Sequence, residues 1–425
     1  MQPDHLSDTR FDSLPLHPAL QSALARLKFE WCTPIQAQTL PLALAGRDLA
    51  GQAQTGTGKT AAFLLGTMHR LLTTERTGPD GQPRAFMLAP TRELAVQIYD
   101  DAVALGADTG LRLAVCFGGT GYESQRQAIQ AGVDILIGTP GRLIDYYKQD
   151  IYTLKHIEVV VLDEADRMFD LGFIADIRYL LRRMPGPTQR RNYLFSATLS
   201  QRVLELAYEH MNDPQKITIE PEQVTAERVR QSMLHVSNDD KLRVLAALLR
   251  HHDPFRTLVF VNTKRGCEEV EKSLRANGFE ASVISGDVPQ NKRLRLLEDF
   301  KEGRLPVLVA TDVAARGLHI PAVSHVINYD LPQDPEDYVH RIGRTARAGE
   351  SGDAISLCCE TYVYSLPEIE RYIGQRLPTE PIPDAWMAEE FKELPRESRG
   401  GRFHRGGGGG RGGPRGGRRP PPRRR

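Results

Sequence analysis

The sequence predicts an α/β protein with two successive parallel-sheet domains, followed by an arginine-rich tail. Three observations support this fold class. The chain has 425 residues, of which 40% are hydrophobic, so it is long enough for two domains with buried cores. Short runs of Val, Ile and Leu alternate with helix-like segments in two series, which is typical of βαβ units. The last thirty residues are mostly Arg, Gly and Pro.

The strand-like runs fall into two groups separated by a polar stretch. The first group lies at 47–52, 85–89, 113–117, 134–138, 159–163 and 193–196, and the second at 257–261, 281–285, 306–310, 325–328 and 354–358. The stretch 220–228, EPEQVTAER, has no apolar periodicity and is the predicted linker. We therefore predict an N-terminal domain at 1–219, a C-terminal domain at 229–375 and an extension at 376–425.

The tail at 396–425 differs from the rest of the chain in composition and charge. It contains 11 arginines and a single acid, Glu397, although the whole chain carries a net charge of only +1. Such a segment buries too little apolar surface to offset its ordering entropy, so we expect it to be disordered. A mobile polycation suits RNA phosphates. The alternative is a solubilising tail or linker.

Composition also argues against several protein classes. No apolar stretch approaches the ~20 residues that cross a bilayer, so no membrane association is expected. The N-terminus lacks the apolar run of a signal peptide. The five cysteines include no C-x-x-C pair, which argues against a zinc site and favours a reducing compartment. We therefore expect a cytoplasmic protein.

Residues 53–60, AQTGTGKT, follow a strand-like run and precede a predicted helix at 60–70. Two glycines let backbone N–H groups surround a phosphate, and the helix N-terminus adds positive potential. Lys59 would reach the β- and γ-phosphates, and the Thr60 hydroxyl would hold Mg²⁺. Ala53 replaces the first glycine of the strict pattern. The predicted nucleotide-binding residues of this loop are Ala53, Gln54, Thr55, Gly56, Thr57, Gly58, Lys59 and Thr60.

Two carboxylates end the apolar run VVVLDEAD. Parallel sheets bind ligands at the carboxyl ends of their strands, so this placement suits catalysis. Asp163 would bind Mg²⁺, and Glu164 would orient and deprotonate the attacking water. Two adjacent acids after a strand could also form a solvated turn, but the phosphate-binding loop earlier in the chain favours nucleotide hydrolysis.

These motifs and several others resemble those of the DEAD-box RNA helicases and appear in the order usual for that family. They are TPIQ at 33–36, AQTGTGKT at 53–60, PTRELA at 90–95, GG at 118–119, TPGR at 139–142, DEAD at 163–166, SAT at 196–198, ATDVAARG at 310–317 and HRIGRTAR at 340–347. The resemblance implies two RecA-like (P-loop NTPase) domains. It also implies an enzyme that hydrolyses ATP with Mg²⁺ between them and locally unwinds short RNA duplexes.

The resemblance assigns adenosine contacts to four residues. Gln36 would pair with adenine and Phe29 would stack on it, although Phe29 could instead pack in the core beside Leu24 and Leu27. Gly317 would allow close approach to the nucleotide. His319 stands where the family usually has an aspartate that contacts the ribose. Two interpretations remain open: the substitution is harmless, or His319 weakens the contact with the ribose and leaves the isolated enzyme slow until a partner aligns the domains.

The resemblance also assigns catalytic and coupling roles across the two domains. Arg344 and Arg347 match the family's arginine fingers, and their spacing would place them on one face of a helix. His340 would bridge towards Asp166 or the segment containing Ser196 and Thr198. This segment matches the motif that couples hydrolysis to strand separation, although by itself it could be a strand-end turn.

The implied partner is RNA, as single strands and short duplexes. The RNA-binding residues carried over from the family are Thr91, Arg92, Gly119, Thr139, Arg142, Arg293 and Thr311. Segments 141–149, 166–173 and 315–321 are similar to those of bacterial helicases in RNA-degrading complexes. This similarity implies an RNase E-type degradosome as a partner. We also expect the helicase to be a monomer. Two alternatives remain open: a DNA-translocating ATPase on the same scaffold, and an ATP-gated RNA clamp that does not unwind.

Overall fold

The computed structural model describes residues 6–53, 56–119, 121–219, 229–252, 255–285, 288–315, 323–345 and 352–394. The predicted linker at 220–228 and the arginine-rich tail at 396–425 lie outside these ranges. So do five predicted site residues, namely Gln54, Thr55, Gly317, His319 and Arg347. Both sheets belong to one compact unit, Met1–Lys392.

The first lobe is built on a parallel sheet with seven described strands. They are β1 (Leu49–Gln52), β2 (Ala85–Leu88), β3 (Leu113–Cys116), β4 (Ile135–Gly138), β5 (Val159–Leu162), β6 (Arg191–Ser196) and β7 (Gln215–Thr218). Their order across the sheet is β3-β4-β2-β5-β6-β1-β7, and every pairing is parallel.

Helices cover both faces of this sheet. They are α1 (Pro18–Arg26), α2 (Pro34–Leu44), α3 (Lys59–Thr73), α4 (Arg92–Gly106), α5 (Tyr122–Gln130), α6 (Pro140–Lys148), α7 (Ala165–Asp170), α8 (Ile174–Leu181) and α9 (Gln201–His210), with 3-10 turns at Phe11–Ser13 and Pro187–Gln189. Side chains alternate between the faces, so Ala85 and Met87 enter one core while Phe86 and Leu88 enter the other. Burial on both faces explains why central strands such as β2 and β5 are continuous apolar runs.

The second lobe repeats this architecture. Its strands are β8 (Val229–His235), β9 (Thr257–Phe260), β10 (Ala281–Ile284), β11 (Val307–Ala310), β12 (His325–Asn328), β13 (Gly352–Cys358) and β14 (Thr379–Glu380). The order is β10-β11-β9-β12-β13-β8-β14, again parallel. Its helices are α10 (Lys241–His252), α11 (Lys264–Ala276), α12 (Gln290–Lys301), α13 (Asp312–Ala315), α14 (Pro335–Ile342), α15 (Leu366–Ile373) and α16 (Asp384–Ala388), with a 3-10 turn at Val363–Ser365.

The start of the predicted extension packs on the second lobe. β14 pairs with β8, and Trp386 of α16 stacks on His251 of α10 with ring centroids 5.4 Å apart. Arg250 Nη1 lies 2.9 Å from Glu389 Oε2. Lys392 N donates to Asn277 Oδ1 at 2.8 Å, so the chain is held to this lobe as far as Lys392.

The predicted α/β class with two tandem parallel sheets is confirmed, and each predicted strand-like run overlaps an observed strand. Three strands were not predicted: β7, β8 and β14. β8 has the sequence VRQSMLH, which lacks an apolar run, yet it pairs with β13 over seven residues. None of the described helices combines the length and apolarity that a membrane span requires.

Candidate functional site

The predicted site residues of the first lobe meet at the carboxyl edge of its sheet. β5, β6 and β1 are adjacent, and the DEAD segment, Ser196 and the phosphate-binding loop lie at or just after their carboxyl ends. β3, β4 and β2 form the other half of the sheet, and Gly119, Thr139 and Thr91 follow them. Parallel strand ends share one edge, so the nucleotide motifs and the RNA motifs lie side by side.

The described part of the phosphate-binding loop contains two glycines with positive φ. Gly56 and Gly58 have φ of 89° and 92°, a region that favours glycine. Gln36 Nε2 donates to Gly58 O at 3.0 Å, and a Cβ at Gly58 would collide with that nitrogen. Buried Lys59 donates from Nζ to Ala53 O at 2.8 Å. Side chains thus hold the loop at Ala53 and at Gly58, and Lys59 and Thr60 are the first residues of α3.

The two carboxylates after β5 have different surroundings. Asp163 is 2% exposed, and burial raises its pKa to about 6 while the Lys59 charge opposes the rise. A divalent cation at this site would favour its ionised form. Glu164 adopts φ of 53°, and its N–H donates to Asp163 Oδ1 at 3.0 Å.

Glu164 Oε2 is a buried acceptor without a hydrogen-bond donor among the described residues. Arg167 Nη1 lies 4.0 Å from this oxygen. Buried acceptors are almost always paired, so this atom is available to accept a hydrogen bond from a water. The arrangement suits the predicted role of Glu164 as a base towards the attacking water.

Asp166 connects the DEAD segment to the segment after β6. Its Oδ2 accepts the N–H groups of Ala197 and Thr198, each at 3.1 Å. Its own N–H donates to Ser196 Oγ at 3.1 Å, and Ser196 O accepts the N–H of Ala53 at 3.0 Å. The three motifs thus form one hydrogen-bonded unit, through which movement at one motif would reach the others.

The two predicted adenine contacts differ in exposure. Gln36 is buried, and its Oε1 accepts the N–H of Thr33 at 2.9 Å at the start of α2. Phe29 is 44% exposed and stacks on Phe11 with centroids 6.2 Å apart. The Phe29 ring therefore remains accessible to a ligand. The adenine contacts themselves stay predictions.

A cleft of about 670 Å³ between the lobes brings the predicted catalytic groups together. Lys59 and Glu164 line it from the first lobe, and His340 and Arg344 line it from the second. Asp166 and Thr198 share the same cleft, and His340 Nδ1 lies 4.0 Å from Asp337 Oδ1. Residues nearly 300 positions apart in sequence thus face one cavity.

The expectation that Arg344 lies on a helix is wrong. α14 ends at Ile342, and Gly343 and Arg344 form a turn. Thr345 then forms a parallel bridge with Val323, and its Oγ1 donates to Val323 O at 2.6 Å. A residue in this bridge has an extended conformation, so the helix cannot continue to Thr345. Arg344 is nevertheless buried and reaches the cleft, while Arg347 lies outside the described residues.

Two contacts between the lobes involve residues that the sequence analysis did not single out. Arg167, directly after the DEAD tetrad, donates from Nη2 to Val313 O at 2.6 Å. Glu93 Oε1 lies 3.0 Å from Arg293 Nε. Glu93 lies within the PTRELA motif and Arg167 directly follows the DEAD motif, but their partners lie across the lobe interface and no local pattern indicates these pairings.

Arg341 is a further residue that the sequence analysis missed. It is 1% exposed, and its Nε and Nη2 bind the Asp312 carboxylate at 2.6 and 2.7 Å. Its Nη1 also donates to Asp330 O at 2.6 Å. Arg341 therefore ties α14 to the segment after β11. The sequence alone does not indicate this role, because Asp312 lies 29 positions earlier in the chain.

The predicted RNA contacts line the same edge of the molecule. Gly119 has φ of 100° and lies against the Arg92 guanidinium, where a Cβ would collide. Thr139 is the N-cap residue of α6, and Arg142 lies in the first turn of that helix. Thr91 Oγ1 and Thr311 Oγ1 accept the N–H groups of Leu94 and Ala314 at 3.3 and 3.4 Å. No RNA is present, so these contacts stay predictions.

Arg293 joins this edge from the second lobe. Besides the contact with Glu93, its Nη2 donates to Ala314 O at 3.0 Å. Burial lowers the pKa of Arg293, and the Glu93 charge opposes that change. Arg293 therefore lies between the two lobes, beside the predicted RNA contacts Arg92 and Thr311.

Replacing Glu93 by glutamine is expected to weaken lobe closure. The side chains of Glu93 and Arg293 are only 6% and 13% exposed, so the change leaves a buried arginine without its counter-charge. Breaking such a pair should raise the RNA concentration needed for half-maximal ATPase activity by roughly tenfold or more. Titrating RNA into the ATPase assay measures the effect.

Glu123→Gln is the matched control for this prediction. Glu123 lies in the same lobe but forms an exposed pair with Arg126 at 3.7 Å, and exposed pairs contribute little. If the Glu93 and Glu123 variants required equal amounts of RNA, the contact between the lobes would have no role in closure.

Comparisons with known proteins agree with this site. Residues 33–206 match the family model described as DEAD/DEAH box helicase, and residues 240–349 match the helicase conserved C-terminal domain. ATP-dependent RNA helicase RhlB of Idiomarina loihiensis is 58% identical over 401 residues, which is 94% of each chain. RhlB of Haemophilus influenzae strain Rd is 57% identical and covers 94% of this chain and 95% of its own.

Comparison with solved structures shows the same similarity in the fold. S. cerevisiae Dbp5 bound to RNA and ADP BeF3 matches with a TM-score of 0.78 and 34% identity. The match covers 89% of this chain and 97% of the Dbp5 chain. The motifs, the cleft and these similarities agree: the chain belongs to the DEAD/DEAH-box helicase family, as an ATP-dependent RNA helicase of the DEAD-box type.

Proposed function

We propose that the cleft between the lobes is the ATPase site, and that its closure on ATP and RNA locally unwinds short RNA duplexes. The observation that carries the proposal is the shared cavity, which Lys59 and Glu164 line from one lobe and Arg344 lines from the other. Each lobe alone holds part of this set. Hydrolysis therefore requires closure, and any ligand that favours the closed state promotes it.

In the proposed reaction, the phosphate-binding loop and Lys59 hold the β- and γ-phosphates. Glu164 orients the attacking water and accepts its proton. Arg344, together with Arg347, stabilises the negative charge that develops on the γ-phosphate. Loss of the γ-phosphate removes contacts that both lobes share, so the cleft reopens and RNA leaves.

The residues fit a magnesium ion. Mg²⁺ binds proteins through one or two oxygen ligands together with substrate phosphates. Thr60 and Asp163 would hold it, Asp163 through water, beside a loop whose glycines leave room for phosphate. The ion would neutralise charge on the β- and γ-phosphates.

RNA binding is proposed for the edge that carries Thr91, Arg92, Gly119, Thr139 and Arg142, completed by Arg293 and Thr311. Backbone N–H groups and arginines suit phosphate and sugar contacts, which do not depend on sequence. The similarity to Dbp5 bound to RNA and ADP BeF3 supports a closed arrangement of this kind. A strand bent along this edge cannot stay in a duplex, so its complement dissociates.

A direct assay separates this function from the two alternatives. The purified chain should hydrolyse ATP faster with single-stranded RNA than with DNA of the same sequence, and should displace one strand of a short RNA duplex. Equal stimulation by DNA would favour a DNA-translocating ATPase. RNA-stimulated ATPase activity without strand displacement would favour an RNA clamp.

We further propose that the helicase acts as a monomer in the cytoplasm, in bacterial RNA degradation beside an RNase E-type ribonuclease. The support is the similarity of segments 141–149, 166–173 and 315–321 to helicases of RNA-degrading complexes. Adding such a ribonuclease should raise the ATPase rate and speed decay of a structured RNA. No change in either rate would contradict this placement.

Deleting residues 396–425 is expected to weaken RNA binding and to flatten its dependence on salt. The tail carries 11 arginines, and each phosphate contact by a cation adds about 0.7 to the salt slope of single-strand binding. Affinity should be measured from low to high salt for the full and shortened chains. Replacing the 11 arginines by serine provides a control of unchanged length. An unaltered salt slope would contradict RNA binding by the tail and would favour its role as a solubilising segment or linker.

A further inference from the structure

We infer that Tyr122 is a positioning residue of the RNA site, which acts by holding the guanidinium group of Arg142 for a phosphate. The inference rests on the proposed RNA contact of Arg142. It adds a residue that lies outside the recognised motifs, and it explains how a long, flexible side chain could be ordered before RNA binds.

The Arg142 guanidinium contacts two tyrosine rings. Its Cζ lies 4.7 Å from the centroid of the Tyr122 ring and 5.3 Å from that of Tyr146. The two rings are themselves 5.2 Å apart and inclined at 54°. Tyr122 opens α5, whereas Arg142 and Tyr146 belong to α6. The cation–π contact of Tyr122 therefore joins two helices, and together with Tyr146 it restricts the movement of the guanidinium.

Hydrogen bonds restrain one end of the same group. Arg142 Nη1 donates to Tyr146 Oη at 3.1 Å and to Gln125 Oε1 at 3.2 Å. Gln125 Oε1 also accepts the N–H of Phe117 at 3.1 Å, which ties it to the backbone after β3. Both hydrogens of Nη1 are thus used, while no described residue accepts from Nε or Nη2. Those three N–H bonds are the ones that remain for a phosphate.

Tyr146 and Tyr122 differ in burial, and so in how far a substitution would disturb the fold. Tyr146 is fully buried, and its hydroxyl donates to Tyr122 O at 2.5 Å, so it is part of the core. Tyr122 is 40% exposed, and its hydroxyl accepts from Gln149 Nε2. Changing the Tyr122 side chain therefore leaves no buried cavity. Its exposed ring therefore contributes more to the orientation of the Arg142 guanidinium than to the stability of the fold.

The location agrees with an RNA role. Tyr122 lies three residues after Gly119, and Arg142 lies three residues after Thr139. Gly119 and Thr139 follow the adjacent strands β3 and β4 at the carboxyl edge of the sheet. A guanidinium held flat at this edge loses less side-chain entropy when it binds a phosphate, since part of that freedom is already gone.

The test measures binding of a labelled single-stranded RNA by the full chain with a non-hydrolysable ATP analogue, across a series of salt concentrations. Arg142→Ala should weaken binding and lower the salt slope by about 0.7, the value for one phosphate contact. Tyr122→Leu should weaken binding on the order of threefold, because it removes one exposed cation–π contact. Tyr122→Phe keeps the ring and should bind as the unaltered chain does.

The double variant Tyr122→Leu/Arg142→Ala separates the possible outcomes. If Tyr122 acts through Arg142, the double variant should bind no more weakly than Arg142→Ala. Full additivity, or unaltered binding by Tyr122→Leu, would overturn the inference while leaving the Arg142 contact in place. Unaltered binding by Arg142→Ala would contradict the proposed contact between Arg142 and an RNA phosphate. Should the leucine variant fail to fold, Tyr122→Met tests the same loss of the ring.

Discussion

Replacing Glu164 by glutamine is expected to abolish ATP turnover while ATP and RNA remain bound. Glu164 Oε2 is buried and has no hydrogen-bond donor among the described residues, so it has an unused acceptor for the attacking water. Glutamine has the same shape but cannot take the proton. Losing a general base lowers kcat by about 10²–10⁴-fold. A closed complex that cannot hydrolyse ATP should release RNA slowly.

Two measurements on the Glu164 variant check this result. Steady-state ATPase assays should show almost no product, and RNA dissociation after ATP addition should be much slower than for the unaltered chain. Glu205→Gln is the matched control, because Glu205 lines the same cleft but is exposed. Appreciable turnover by the Glu164 variant would mean that another group activates the water.

Replacing Arg344 by alanine is expected to lower the hydrolysis rate by about 10³-fold or more, the range found for arginine fingers. Arg344 is buried and reaches the cleft from the second lobe. The first lobe supplies the phosphate-binding loop, so ATP affinity should change far less than kcat. Arg344→Lys keeps the charge but loses the planar fork and should recover only part of the rate.

Single-turnover hydrolysis with saturating ATP and RNA isolates the role of Arg344 from binding. The control is Arg202→Ala, which removes an exposed cation that lines the same cleft. Near-normal hydrolysis by Arg344→Ala would contradict the proposed role of Arg344 in stabilising charge on the γ-phosphate. Arg347 would then be the remaining candidate for the charge-stabilising group.

The apolar strands of both sheets could be predicted because their pattern is local. Strands such as β5, with the sequence VVVL, are buried on both faces, and that burial requires a continuous apolar run. β8 and β14 lack such a run. β8 is held by neighbours on both sides, β13 and β14, which lie far away in the chain. Its strand conformation depends on tertiary pairing more than on intrinsic propensity.

The nucleotide motifs were predictable for the same local reason. The phosphate-binding loop needs glycines, a lysine and a helix start within eight residues, and the DEAD segment needs carboxylates directly after a buried strand. The turn that carries Arg344 was not predictable. Gly343 and Arg344 leave the helix because Thr345 pairs with Val323, a residue more than 20 positions earlier.

The chain order of residues was therefore enough to indicate the fold class, the helicase family and the chemistry of each motif, because these depend on neighbouring side chains. The meeting of Lys59 with Arg344, the ion pair of Glu93 with Arg293 and the contact of Tyr122 with Arg142 required the folded chain. Each joins segments that are separate in sequence. Such contacts arise from the packing of whole sheets and helices, and a short sequence pattern does not indicate that packing.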